Sequence, residues 1–147
     1  MLITKEIEID MAHRVLNHKS KCRNLHGHRY KIEVGVDDKV VDTQGVSDEG
    51  MVIDFSEIKQ IMMTEIDGIY DHNAVFYKTD PILSYLESYL QSEHQPKQVL
   101  KVDFIPTAEN LAKHWYELIK PKLQEKGIKI AHVKIWETPT STATYHE

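Results

Sequence analysis

The stretch His26-Gly-His-Arg-Tyr-Lys-Ile-Glu-Val-Gly-Val36 decides the fold. Its even positions carry Tyr30, Ile32, Val34 and Val36, with Arg29, Lys31 and Glu33 alternating between them. Residues two apart in a strand share a face, so the pattern predicts a strand buried on one side. Upstream, Ile3, Ile7, Ile9 and Met11 alternate with Thr4, Glu6, Glu8 and Asp10, predicting a second half-buried strand that reaches His13. His26 and His28 share the parity of Tyr30 and Ile32, and His13 that of Ile9 and Met11. If the two strands pair antiparallel, three imidazoles meet on one inner face.

Working outward, a turn-rich stretch from Asp42 to Gly50 leads into a short predicted strand at Met51–Ile53. Helical spacing follows in Ile58, Ile61, Met62, Ile66 and Ile69, with Ser56 or Asp54 available as the cap. Pro106-Thr107 opens a second helix, with Thr107 as N-cap, Glu109 in its positive first turn, and Leu111, Trp115, Leu118 and Ile119 on its buried face. Pro121 is expected to kink or shorten it. Gly127 stops the chain before a closing strand, Ile128–Glu137, and a threonine-rich tail. Between Phe76 and Ile105, a short helix is expected after Pro81, then a polar turn around Gln95-Pro96. These elements make a single α+β domain over 1–147, an antiparallel sheet backed by helices.

Composition narrows the function. A formal charge of −5 argues against a nucleic-acid surface, and 41% apolar residues suffice for a core. No apolar run approaches the roughly 20 residues that span a bilayer. The acidic opening MLITKEIEID lacks a secretory h-region, and a single cysteine excludes an internal disulfide, so a reducing, cytoplasmic setting is expected. Nine histidines beside that one cysteine are the unusual feature.

His13, His26 and His28 form either a three-nitrogen metal site or a set of core histidines. Three histidine ligands leave a fourth position open, the pattern of a catalytic zinc, although imidazole equally suits iron, copper or nickel. Cys22 stands four residues before His26, among Lys19, Lys21 and Arg23, cations that favour a thiolate. It is either a fourth ligand or an acid–base group beside the metal. Asp71-His72 follows the first helix; an aspartate beside a histidine fixes its tautomer, and a histidine at a helix end also serves merely as a cap charge. Glu137 shares the parity of Val133 and Ile135, so it faces inward and needs a partner. His18, His94, His114, His132 and His146 show no pattern beyond surface or helix-face residues.

Taken together, Ala12-His13-Arg14, Cys22-x-x-x-His26-Gly-His28-x-Tyr30, Val52-Ile53-Asp54-Phe55, Asp71-His72-Asn73, Pro106-Thr107-x-Glu109-Asn110-Leu111-Ala112 and Glu137-Thr138 resemble the 6-pyruvoyltetrahydropterin synthase/6-carboxytetrahydropterin synthase family. The resemblance implies a T-fold: an antiparallel sheet with two main helices on one face, assembling through strand edges into a β-barrel homo-oligomer, typically a hexamer. It implies His13, His26 and His28 as zinc ligands, Cys22 as proton-abstracting residue, Asp71 and His72 as its relay, and Glu137 as anchor for the pterin's guanidine-like edge. Thr107 and Glu109 would help shape the substrate pocket. The implied substrate is 7,8-dihydroneopterin triphosphate, with no nucleic-acid or membrane partner. One branch, in bacterial queuosine (7-deazapurine) biosynthesis, gives 6-carboxy-5,6,7,8-tetrahydropterin, acetaldehyde and triphosphate. The sister branch eliminates triphosphate to give 6-pyruvoyltetrahydropterin. The placing of Cys22 four residues before His26 resembles the carboxytetrahydropterin branch. A non-catalytic metal- or pterin-binding T-fold protein would need neither Cys22 nor its relay, and a hydrolase using zinc-bound water would not need Cys22. Relative to compact bacterial members, the connection within Ala74–Ile105 is longer by roughly twenty residues, an insertion around 77–105 beyond ordinary loop length.

Overall fold

A computed structural model describes residues 1–93 and 98–147. The two decisive strands are β1 (Leu2–His13) and β2 (His26–Asp37), paired antiparallel over their full lengths from Leu2 opposite Asp37 to His13 opposite His26. Four further strands complete one sheet: β3 (Ala74–Tyr77), β4 (Val99–Val102), β5 (Ile130–Thr138) and β6 (Ser141–Tyr145), in the order β4-β3-β1-β2-β5-β6.

The sheet is mixed, which corrects the antiparallel expectation. β3 runs parallel to β1 and β4 runs parallel to β3. Parallel neighbours need a long crossover, and helix α3 (Leu83–Ser92) lies in the segment linking β3 to β4. The helix expected after Pro81 is thus present, while the turn expected at Gln95-Pro96 falls outside the described residues. Both short strands escaped the sequence reading because four residues are too few to establish a period. The threonine-rich tail likewise forms β6, an edge strand paired to β5.

No strand forms at Met51–Ile53. Val41 instead donates its N–H to the Met51 carbonyl and accepts from Gly50 N–H, both at 2.8 Å, closing a loop whose apolar residues Val52 and Ile53 turn into the core. Burial, not pairing, explains that apolar run. Helix α1 (Phe55–Met62) begins at Asp54, whose carboxylate accepts from Ser56 N–H at 2.7 Å. A π-turn, Met63–Asp67, joins it to the short α2 (Gly68–Tyr70). The wider turn keeps Ile58, Met62, Ile66 and Tyr70 on one buried line at four-residue steps, and leaves Ile69, expected inside, exposed.

Helix α4 (Ala108–Gln124) is capped by Thr107, whose hydroxyl accepts from Asn110 N–H at 3.4 Å. Pro121 does not end it. The proline lies on the exposed side of the last turn, where the carbonyl left unpaired one turn earlier meets solvent. Leu111, Trp115, Ile119 and Leu123 pack with Tyr30, Ile32, Val34, Val133 and Ile135 in one core between sheet and helices. Among the described residues, no helix is long and apolar enough to cross a membrane.

Candidate active site

The β1–β2 register sets His13 opposite His26 and Met11 opposite His28, so the three histidines close up at one end of the sheet. Gly27 allows this: a Cβ there would stand 3.2 Å from the Met11 carbonyl oxygen. The His13 ring centroid lies 4.6 Å from that of His26 and 5.3 Å from that of His28, and one ring nitrogen from each histidine falls within 4.8 Å of the others.

Backbone acceptors orient two of the rings. His13 Nδ1–H donates to the Pro106 carbonyl at 2.6 Å, and His26 Nδ1–H to the Asn24 carbonyl at 2.7 Å, leaving each Nε2 with its lone pair free. His28 Nε2 is buried with no hydrogen-bond partner among the described residues. Burial pushes the His13 and His28 imidazoles below their ordinary pKa, which keeps them neutral. The Glu137 carboxylate places one oxygen 3.9 Å from His13 Nε2 and the other 3.9 Å from His28 Nε2. Among the described residues no lysine or arginine pairs with Glu137, so its carboxylate faces the His13 and His28 imidazoles without a cationic partner. That donor set and the orphaned His28 nitrogen fit a divalent cation, and three imidazole ligands with a position left for substrate suit zinc.

A cavity of about 290 Å³ opens beside the cluster, lined by His13, His18, Cys22, Thr107, Glu109 and Glu137 among others. Cys22 reaches it from a single 3₁₀ turn, Lys21–Arg23, tied to the chain just beyond β1 by Val15 N–H donating to the Cys22 carbonyl at 2.8 Å. Thr107 arrives with the cap of α4, the same local structure that aims the Pro106 carbonyl at His13. The structure therefore gathers seven of the nine residues singled out in the sequence: His13, Cys22, His26, His28, Thr107, Glu109 and Glu137.

Asp71 and His72 lie elsewhere. The Asp71 carboxylate accepts from Asp10 N–H at 2.8 Å, and His72 N–H donates to the Asp10 carbonyl at 2.7 Å, which fixes the pair to the edge of β1. They border the opposite face of the sheet, where Asp10 binds Arg29, and His72 lines a second cavity with Asp10, Arg29 and His28. His72 has a left-handed backbone (φ 60°) and a side chain 77% exposed. Its Nδ1–H donates to Asp71 at 2.6 Å, and this bond raises its pKa. The Asp10 N–H in turn holds the Asp71 carboxyl low. No hydrogen bond joins His72 to Cys22 among the described residues.

Tyr30 was missed as a polar participant because its parity counted it with the core. Its hydroxyl stands 3.2 Å from His13 Nε2 and 3.5 Å from Glu137 Oε2, and burial raises its pKa, keeping the phenol protonated. His18, which has no pattern in the sequence, lines the same cavity as Cys22 and accepts from Ser20 N–H at 3.1 Å. No spacing in the sequence signals either role. His114 and His132 are engaged elsewhere, the first hydrogen-bonded with the Tyr70 hydroxyl at 2.7 Å and the second contacting Glu33 at 2.8 Å.

The fold and site together define a class: a T-fold protein with three clustered histidines and a thiol lining the cavity beside them. A sequence model described as 6-pyruvoyl tetrahydropterin synthase matches residues 2–147, and the chain belongs to that family. It is 34% identical over 145 residues to the 6-carboxy-5,6,7,8-tetrahydropterin synthase of Haemophilus influenzae, covering 99% of this chain and 98% of the relative. It is 36% identical over 132 residues to the enzyme of the same name from Aquifex aeolicus, covering 87% and 77%. Among solved structures, an uncharacterized Wolinella succinogenes protein superposes with a TM-score of 0.82 at 23% identity, covering 100% of this chain and 98% of that one. The Caenorhabditis elegans 6-pyruvoyl tetrahydropterin synthase gives 0.69 at 23% identity, covering 100% and 95%. These two likenesses concern the fold.

Proposed function

We propose that the chain is a zinc-dependent carbon–carbon lyase, converting 7,8-dihydroneopterin triphosphate to 6-carboxy-5,6,7,8-tetrahydropterin, acetaldehyde and triphosphate on the route to queuosine. The observation that carries this reading is a cluster of three imidazoles beside a cavity that His13, the Glu137 carboxylate and the Cys22 thiol line together. The curated relatives named above support the carboxytetrahydropterin branch over its sister.

His13, His26 and His28 would hold the zinc, which when bound supplies Lewis acidity to the substrate's side-chain hydroxyls. Glu137 accepts N–H bonds from the pterin's guanidine-like edge, for which a bidentate carboxylate is suited. Cys22 removes a proton from the side chain, and Thr107 and Glu109 shape the wall around it. His72, oriented by Asp71, carries protons to and from Cys22. Since that pair borders the opposite face of its own sheet, the relay reaches Cys22 only from a second copy. The working form is accordingly a homo-oligomer, a hexameric barrel by family resemblance, of single-domain chains with the 77–105 segment added. A cytoplasmic setting agrees with a lone thiol kept reduced.

Incubating zinc-loaded protein with 7,8-dihydroneopterin triphosphate and identifying products by mass tests the reaction. Acetaldehyde with 6-carboxytetrahydropterin is expected. The 6-pyruvoyl product would assign the sister reaction, and no turnover would leave a binding protein.

A further inference from the structure

His18 lines the cavity beside Cys22 but has no part in the mechanism above. Both residues are pinned to one point of the chain. Val15 N–H donates to the Cys22 carbonyl at 2.8 Å, and the Val15 carbonyl accepts from His18 N–H at 3.2 Å. The turn from Val15 to His18 passes through Asn17, whose left-handed backbone (φ 67°) asparagine adopts more readily than most residues. Ser20 N–H then donates to His18 Nδ1 at 3.1 Å. A backbone amide only donates, so Nδ1 carries the lone pair and the ring proton sits on Nε2. His13 and His26 have the opposite arrangement, with Nδ1–H bonded to a carbonyl. His18 is thus set as a donor and not as a metal ligand, and its Nε2–H has no partner among the described residues. The loop that carries it is basic: from Val15 to Leu25 the chain has Lys19, Lys21 and Arg23 and no acid, in a protein of net charge −5. All three are exposed, and none is in an ion pair among the described residues. The carboxylates on the cavity, Glu109 and Glu137, come instead from α4 and β5.

We propose that the loop from His18 to Arg23 binds the substrate's triphosphate, with His18 Nε2–H donating to a phosphate oxygen and the three cations offsetting its charge. The carboxylates repel a polyanion from their side of the cavity and accept the N–H-rich pterin edge there. The substrate is held by its two ends, and the carbons between them come to Cys22, which shares the loop. This rests on the reading of the cavity as a pterin triphosphate site.

The test uses the zinc-loaded full chain carrying Cys22→Ala, which holds substrate without consuming it. Calorimetry compares 7,8-dihydroneopterin triphosphate with 7,8-dihydroneopterin, which lacks only the phosphates. The triphosphate is expected to bind about 100-fold more tightly, the scale of one or two hydrogen bonds to a charged group. Adding His18→Phe, which keeps a ring but no donor, cuts that preference about tenfold. His18→Gln, whose amide donates, restores part of it. Replacing Lys19, Lys21 and Arg23 together by Gln lowers the preference again and removes most of its dependence on salt. The phosphate-free ligand binds all these variants as it binds the parent. No preference in the parent, a preference unchanged in His18→Phe, or an equal weakening of both ligands overturns the proposal. A different result sinks the reading beneath it: a zinc-loaded parent that binds neither ligand.

Discussion

The two faces of the β1–β2 pair hold histidines in opposite environments. On the inner face His13 is 1% exposed and burial lowers its pKa, whereas the His72 side chain near the outer face is 77% exposed and Asp71 raises its pKa. The first setting keeps an imidazole neutral, as a metal ligand must be. The second lets an imidazole hold its proton to higher pH, the setting a proton carrier would use. One residue type thus sits in two electrostatic settings, and the sheet separates them. Neither face suffices for the proposed reaction, since Cys22 lies with the ligands and its relay lies across the strands.

The widest break in this contrast comes from the inner face. His26→Ala is expected to lower zinc affinity by more than about 100-fold, beyond the cost of losing a supporting group, and to abolish turnover. Stoichiometric zinc in that variant, by plasma mass spectrometry, would remove the three-histidine site. Cys22→Ala should keep its zinc yet lose turnover by about 10² to 10⁴-fold. Zinc lost from that variant instead would make Cys22 a ligand.

On the outer face the effect is a shift. A histidine with a raised folded pKa holds its proton to higher pH, and that hold depends on the Asp71 bond. In Asp71→Asn the limb of the kcat/KM profile that reports His72 should move to lower pH, with zinc content unchanged. An unmoved limb would exclude His72 as the titrating relay, although coupling to Cys22 means the limb belongs to the pair. The smallest effect is expected from Thr107→Ala. Its cap bond is long, so the loss should be about 0.5 kcal/mol, the low end for an N-cap, read by denaturant unfolding. Any fall in zinc affinity there, through the Pro106 carbonyl on His13, should be far below that of His26→Ala.

Strand parity made much of this legible. It places His13, His26, His28 and Glu137 on one face, because a half-buried strand has a period of two and β1, β2 and β5 are long enough to show it. Thr107 was legible from capping chemistry. The remainder depends on distant partners. The parallel β3 and β4 are four residues each and take their direction from a crossover, which leaves no local pattern. Tyr30 looked apolar because parity reports burial and says nothing of where a hydroxyl points. The sequence offered Asp71-His72 as a pair but not its place, which follows from two backbone bonds to Asp10.

The central claim is that one active site joins the inner face of one copy to the outer-face relay of another. Co-assembling His26→Ala with His72→Ala chains tests it, each being inactive alone. In a randomly mixed oligomer about a quarter of the sites pair an intact ligand set with an intact relay, so up to about a quarter of wild-type turnover should return. No recovery in verified mixed oligomers would contradict the account.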